Sequence, residues 1–303
     1  MDKKQLWRDI VTHARSLFPL FRYLILQTET HAFCLALACA ALIGFYPFCA
    51  LMLSLMQHQF HWDGGYKVIM LALQVLYPNP EFLVRNLDVT VRSSGRSFEL
   101  GSVIWVFLGA AGVFIPLEAG LNRLWKVHED RPYWQNQLFG IGLTLVCCVL
   151  AITFVVIIAT LRFPGTLLLQ VSETFQPVTS VSDTIILHLM AVVFFSMTIF
   201  VLYKFLPNRK IDTFQVLPAA ILAGVVAEIV KDVYVLLLPF MDIRGPNGSQ
   251  GPFYISVSFV ILAYFETFVV LGGAFLATQT EAYPWMGFIR HIREARHDQP
   301  SST

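Results

Sequence analysis

An all-α, polytopic membrane fold of six transmembrane helices is what this sequence predicts, and three observations predict it. The 303-residue chain is 56% hydrophobic, only 14% charged, and has a mean hydropathy of +0.63, whereas soluble domains average about 25% charged residues. Apolar runs recur along it that are long enough, at ~1.5 Å per residue, to cross a hydrocarbon core of about 30 Å. The lysines and arginines between these runs are dense in one connection and sparse in the next, as in a chain that crosses a bilayer repeatedly.

Residues 1–31 read as a cytoplasmic amphipathic segment. Leu6, Trp7, Ile10, Val11, Leu17, Phe18, Phe21 and Leu24 recur at helical spacing, and Lys3, Lys4, Arg8, Arg15 and Arg22 line the remainder. Such a helix, interrupted near Pro19, either lies in the headgroup layer or packs against a cytoplasmic loop of the same chain. A transmembrane domain over 32–278 follows, with spans at 32–56, 101–124, 138–161, 184–206, 214–238 and 253–278, then a cytoplasmic tail over 279–303. The first extracytoplasmic loop, 57–100, is the longest and carries short helices. Residues 66–77 are apolar but too short to cross, so they form a re-entrant or interfacial helix that stops at Pro78-Asn79-Pro80. A more polar helix over Glu81–Val91 precedes the turn Ser93-Ser94-Gly95-Arg96, and the 162–183 loop and Gly-rich 244–252 segment complete this face.

Orientation follows from the cations. The N-terminal segment, the 122–137 and 204–213 connections and the tail hold fourteen lysines and arginines, and the opposite side holds six, which places both termini in the cytoplasm. All five cysteines (Cys34, Cys39, Cys49, Cys147, Cys148) fall within spans, so neither a disulfide nor a cysteine metal site is expected. No cleavable leader precedes the first span. Small residues at Ala36, Ala40 and Gly44, at Gly112 and Gly120, and at Gly140, Thr144 and Cys148 offer faces on which helices approach closely.

Within the fifth span, Glu228, Lys231 and Asp232 lie three and four residues apart, on one helical face. Counted from the cytoplasmic end, Glu228 is roughly 21 Å deep and its two neighbours a little deeper, and Glu266 of the sixth span lies near the same level. Each central charge costs about 2.5–3.5 kcal/mol to insert, so such groups face a bundle interior or water. Lys231 neutralises one acid and leaves others over. Either an acid is protonated or water reaches it, and both fit a polar pocket between spans five and six; helix-to-helix binding is the other use of such groups. Glu118 sits near the cytoplasmic rim with Asn122 and Arg123 and reads as a cap or ion pair.

The stretches Ala40–Pro47 (Ala-Ala-Leu-Ile-Gly-Phe-Tyr-Pro), Ala119–Trp125 (Ala-Gly-Leu-Asn-Arg-Leu-Trp), Tyr203–Asn208, Ala223–Lys231 and Leu271–Ala274 follow one another across the spans. In their order and spacing they resemble the YihY/BrkB family of bacterial inner-membrane proteins, over nearly the whole chain. The family often places an acid after the Gly-Ala of span six; here Phe275 stands there, and Glu266 lies two turns earlier. The resemblance implies a six-helix fold in the inner membrane, an old and misassigned ribonuclease label, a virulence or serum-resistance association, and a part in transport that includes envelope lipid.

No nucleotide-binding, hydrolase or metalloprotease motif is present, so no catalytic residues, cofactor, metal or nucleic-acid partner are expected, and the chain is not read as an enzyme. His58, His61 and Asp63 at the outer face read as ordinary surface residues rather than a metal site. Two functions remain. The first is passage of an ion, proton or amphiphile through the span-five pocket. The second is a non-transporting scaffold that recruits envelope partners through the 57–100 loop and the N-terminal segment.

Overall fold

The computed structural model describes residues 19–76, 85–89, 91, 96–127, 131–162, 181–237, 240 and 252–279. Among them there are helices and turns and no strand. Residues 1–18, Pro78-Asn79-Pro80, the start of the Glu81–Val91 helix, the Ser93-Ser94-Gly95 turn, nearly all of the 162–183 and 244–252 segments and the tail from 280 lie outside the described residues.

Among the described residues, seven longer helices carry the architecture. They are α1 (Thr28–Ser54), α2 (Asp63–Leu76), α3 (Arg96–Leu124), α4 (Tyr133–Arg162), α5 (Val181–Phe205), α6 (Thr213–Leu237) and α7 (Pro252–Thr278). A π-helical turn, Leu55–Gln59, extends α1, and α2 is the 14-residue helix expected in the first loop. Pro47, Pro116 and Pro218 lie inside α1, α3 and α6. Among the described residues, four stretches are long and apolar enough to cross a membrane: Thr28–His58, Trp134–Phe154, His188–Phe205 and Ser256–Thr278. The chain is a membrane protein.

Each long helix packs against the next, α1 on α3, α3 on α4, and so on to α7, and α7 returns to α1, so the circuit closes. The α1–α3 crossing is set by small residues. A Cβ on Gly109 would lie 2.5 Å from the Gly44 Cα, and one on Gly112 would lie 3.0 Å from the Ala40 Cβ. Without side chains at these positions the two backbones come together, which is the van der Waals contact that associates helices in lipid. Gly224 plays the same part between α6 and α5, where an added Cβ would collide with Ser196.

Chain ends of the helices follow local chemistry. The Asp212 Oδ1 accepts the backbone N–H of Phe214 at 3.3 Å and so caps α6. The end of α3 is a Schellman turn: the Val127 N–H reaches the Asn122 carbonyl at 2.9 Å, the Lys126 N–H reaches Arg123 at 3.2 Å, and Lys126 takes a φ of 53°. Residues 19–26 are helical and rest on α7, with Leu24 and Leu20 near Gly272 and Tyr23 stacked on Phe275 at 4.8 Å. That part of the N-terminal segment packs on its own protein, though on a long helix rather than a cytoplasmic loop.

The main core gathers at the end of the bundle where α3 stops and α6 begins. Tyr203 is fully buried there, donates to the Val270 carbonyl at 2.5 Å and lies against Trp125. The α4–α5 seam is looser and leaves a groove of about 650 Å³ lined by Leu138, Phe139, Leu143, Val146 and Val201, with Arg131 among its lining residues.

Candidate functional site

The candidate site is built on α6, whose two faces are reversed relative to a soluble helix. Its buried face carries Val216, Ala219, Ala220, Ala223, Gly224, Ala227, Glu228 and Tyr234, mostly small. Its exposed face carries Leu217, Ile221, Val225, Ile229, Val233 and Leu236. Bulky aliphatic groups face outward and a carboxylate faces inward, which is the pattern of a helix whose solvent is hydrocarbon. The close approach at Gly224, one turn before Glu228, brings α5 against this inner face.

The Glu228 side chain is 5% exposed. Its Oε1 accepts hydrogen bonds from the Lys231 ammonium and from the His188 Nδ1–H of α5, the latter at 2.7 Å. Its Oε2 is buried without a hydrogen-bond partner. Asp232 stands at the open edge of the group, half-exposed, with Oδ1 3.5 Å from the Lys231 ammonium and Oδ2 3.8 Å from His188 Nδ1. Glu266 on α7 is partly buried and within electrostatic reach of both Glu228 and Lys231. Glu228, Lys231 and Asp232 are therefore in direct contact, and Glu266 lies within electrostatic range of the first two.

His188 was not foreseen. It is a lone histidine in an apolar helix with no partner one turn away in sequence, and its contacts come from another helix. The charged group accordingly includes a residue of α5 beside those of α6. Ligand atoms of His188, Glu228 and Asp232 all lie within 4.8 Å of one another, and among the described residues they form the one such group. His58, His61 and Asp63 form none; His58 is paired with Ser54 at 3.2 Å.

A second polar cluster sits at the end of α3, away from the first. Glu118 is 2% exposed, and its Oε1 lies 3.9 Å from Arg131, not beside Arg123 as expected. Arg123 points elsewhere and pairs with Glu29 of α1 at 2.6 Å, where both side chains are more than half exposed. Helical phase explains the difference: Asn122 is one turn from Glu118, whereas the next residue is turned a further 100° or so off that face. Asn122 accepts the backbone N–H of Asn208 at 2.8 Å, Arg131 donates to the Asn208 side chain at 3.2 Å, and Arg209 donates to the Trp125 carbonyl at 3.3 Å. These bonds tie the α3–α4 turn to the α5–α6 turn. They are structural ties.

The model for the family "Virulence factor BrkB" matches residues 25–285. The chain belongs to the BrkB family. No curated protein and no solved structure matches it. The BrkB match takes in every helix from α1 to α7 and both polar clusters, so the charged pocket lies within the BrkB region rather than in an appendage.

Proposed function

We propose that this BrkB-family protein is a six-span bacterial inner-membrane protein, with both termini in the cytoplasm, that passes a cation or proton through the pocket formed by His188, Glu228, Lys231, Asp232 and Glu266. Six helices of 25 to 30 residues support the span count, because each exceeds the roughly 20 residues needed to cross. The reversed faces of α6 support its place among them. The excess of lysine and arginine in the N-terminal segment and in the α3–α4 and α5–α6 turns supports the orientation.

One observation carries the activity. A carboxylate is held inside the bundle by one ammonium and one imidazole, with two more acids beside it, one of them open to the outside at its edge. A pair built only to bind two helices balances its charges. This group has three carboxylates to one lysine, and the surplus attracts cations. The sign argues against anions, and no catalytic step belongs to this reading.

Reconstitution in proteoliposomes tests it. The wild-type protein should support cation or proton flux that falls at least tenfold in Glu228→Gln at equal incorporation. Equal flux in both, or none in either, removes the reading. Loss of cellular function on replacement of the 57–100 loop, with Glu228→Gln fully active, supports the scaffold instead.

A further inference from the structure

We propose that His188, Glu228 and Asp232 form a binding site for a divalent first-row transition-metal ion, with Lys231 as the tethered cation that the metal displaces. The inference deepens the proposed passage of cations and rests on that reading for its role in transport; the site itself does not depend on it. One imidazole nitrogen and two carboxylate oxygens make a borderline donor set, which suits ions of the zinc and manganese type rather than soft copper(I) or hard magnesium. Their ligand atoms come from two helices and already lie within 4.8 Å of one another, so no rearrangement of the backbone is needed to gather them.

Two further observations single this cluster out from an ordinary ion pair. The Glu228 carboxylate keeps one oxygen, Oε2, buried and without a hydrogen-bond partner, so it holds unused capacity inside a side chain that is 5% exposed. Buried acceptors are otherwise almost always satisfied. The Lys231 ammonium is bonded to Glu228 Oε1 and lies 3.5 Å from Asp232 Oδ1, which is where a free cation would sit between the two acids. Glu228 and Asp232 together outnumber Lys231 by one negative charge, which leaves the group attractive to a further cation.

Entry of the metal is balanced in atoms and charge. The neutral His188 ring moves its proton from Nδ1 to Nε2, which exchanges the 2.7 Å bond to Glu228 for a metal bond at Nδ1 without releasing a proton. The Lys231 ammonium leaves Oε1 and keeps its place beside Asp232 Oδ1, 3.5 Å away. His188 and Asp232, at 47% and 50% exposed, are the two ligands at the open edge of the group.

Cobalt(II) titration of the purified full chain in detergent, followed by its visible absorption, tests the site. The expected result is one high-affinity Co2+ per chain, with affinity reduced at least tenfold in His188→Ala and in Asp232→Asn, and raised at least tenfold in Lys231→Met. The two half-exposed positions tolerate substitution, so the test stands even where Lys231→Met fails to fold. Absence of binding, binding unchanged in His188→Ala and Asp232→Asn, or a folded Lys231→Met that binds no tighter overturns the proposal. Cobalt binding in a protein that passes no cation removes the transport reading and leaves the site. Charge-dependent flux without cobalt binding does the reverse.

Discussion

Lys231 has more consequence for this protein than its 14% exposure suggests, because among the described residues Glu228 has no other permanent cation within bonding distance. Removing one partner of a buried pair costs far more than removing both, on the order of 3 kcal/mol for the single change. Lys231→Met should therefore lower the thermal stability of the detergent-solubilised protein more than the double variant Lys231→Met, Glu228→Gln does. A double-mutant cycle read by unfolding temperature checks this, and additive effects would refute the coupling. The sequence showed three members of the group because their spacing repeats on one helix, and it showed Glu266 by depth. It hid His188, since a contact between helices leaves no trace in the spacing within either. For Glu118 the spacing was informative but misread: Asn122 shares its face and Arg123 does not, and the true partner, Arg131, lies beyond the turn.

The helices were the most legible part of the chain. Their observed limits fall within about five residues of the apolar runs at every end, because in lipid an apolar run has few structures open to it besides a helix. What escaped was the way they end and cross. Lys126 occupies the left-handed position that closes the α3 Schellman turn, a conformation costing a residue with a Cβ about 1 kcal/mol. Lys126→Gly should stabilise the protein by about that amount in a thermal melt. Crossings give the opposite sign. Gly109→Ala forces a methyl group to within 2.5 Å of the Gly44 backbone and should destabilise by about 1–3 kcal/mol, whereas Gly101→Ala meets nothing within 4 Å among the described residues and should be near neutral. Side-by-side unfolding of these two variants separates close packing from a general intolerance of α3.

At the scale of the molecule, the proposed arrangement of six spans with inward termini makes a prediction about sidedness. In a cysteine-free background, His61→Cys should react with a membrane-impermeant maleimide added to intact cells, after the outer membrane is made permeable to it. Lys126→Cys should react only once the inner membrane is opened. The same labelling pattern at both positions refutes the arrangement. The long helices close into a circuit through α7, which touches α1 through Tyr264 and His31 at 2.5 Å, receives Tyr203 at its Val270 carbonyl, and receives Gln215 at Ala277 at 2.9 Å. A ribosome supplies this helix last. Until it arrives, α1 has α3 but not α7 beside it, and α6 has α5 but not the helix that carries Glu266. Closure of the bundle is thus a late event of biogenesis, and a stalled chain ending before Pro252 presents α1 and α6 each with one side uncovered for membrane quality control to recognise.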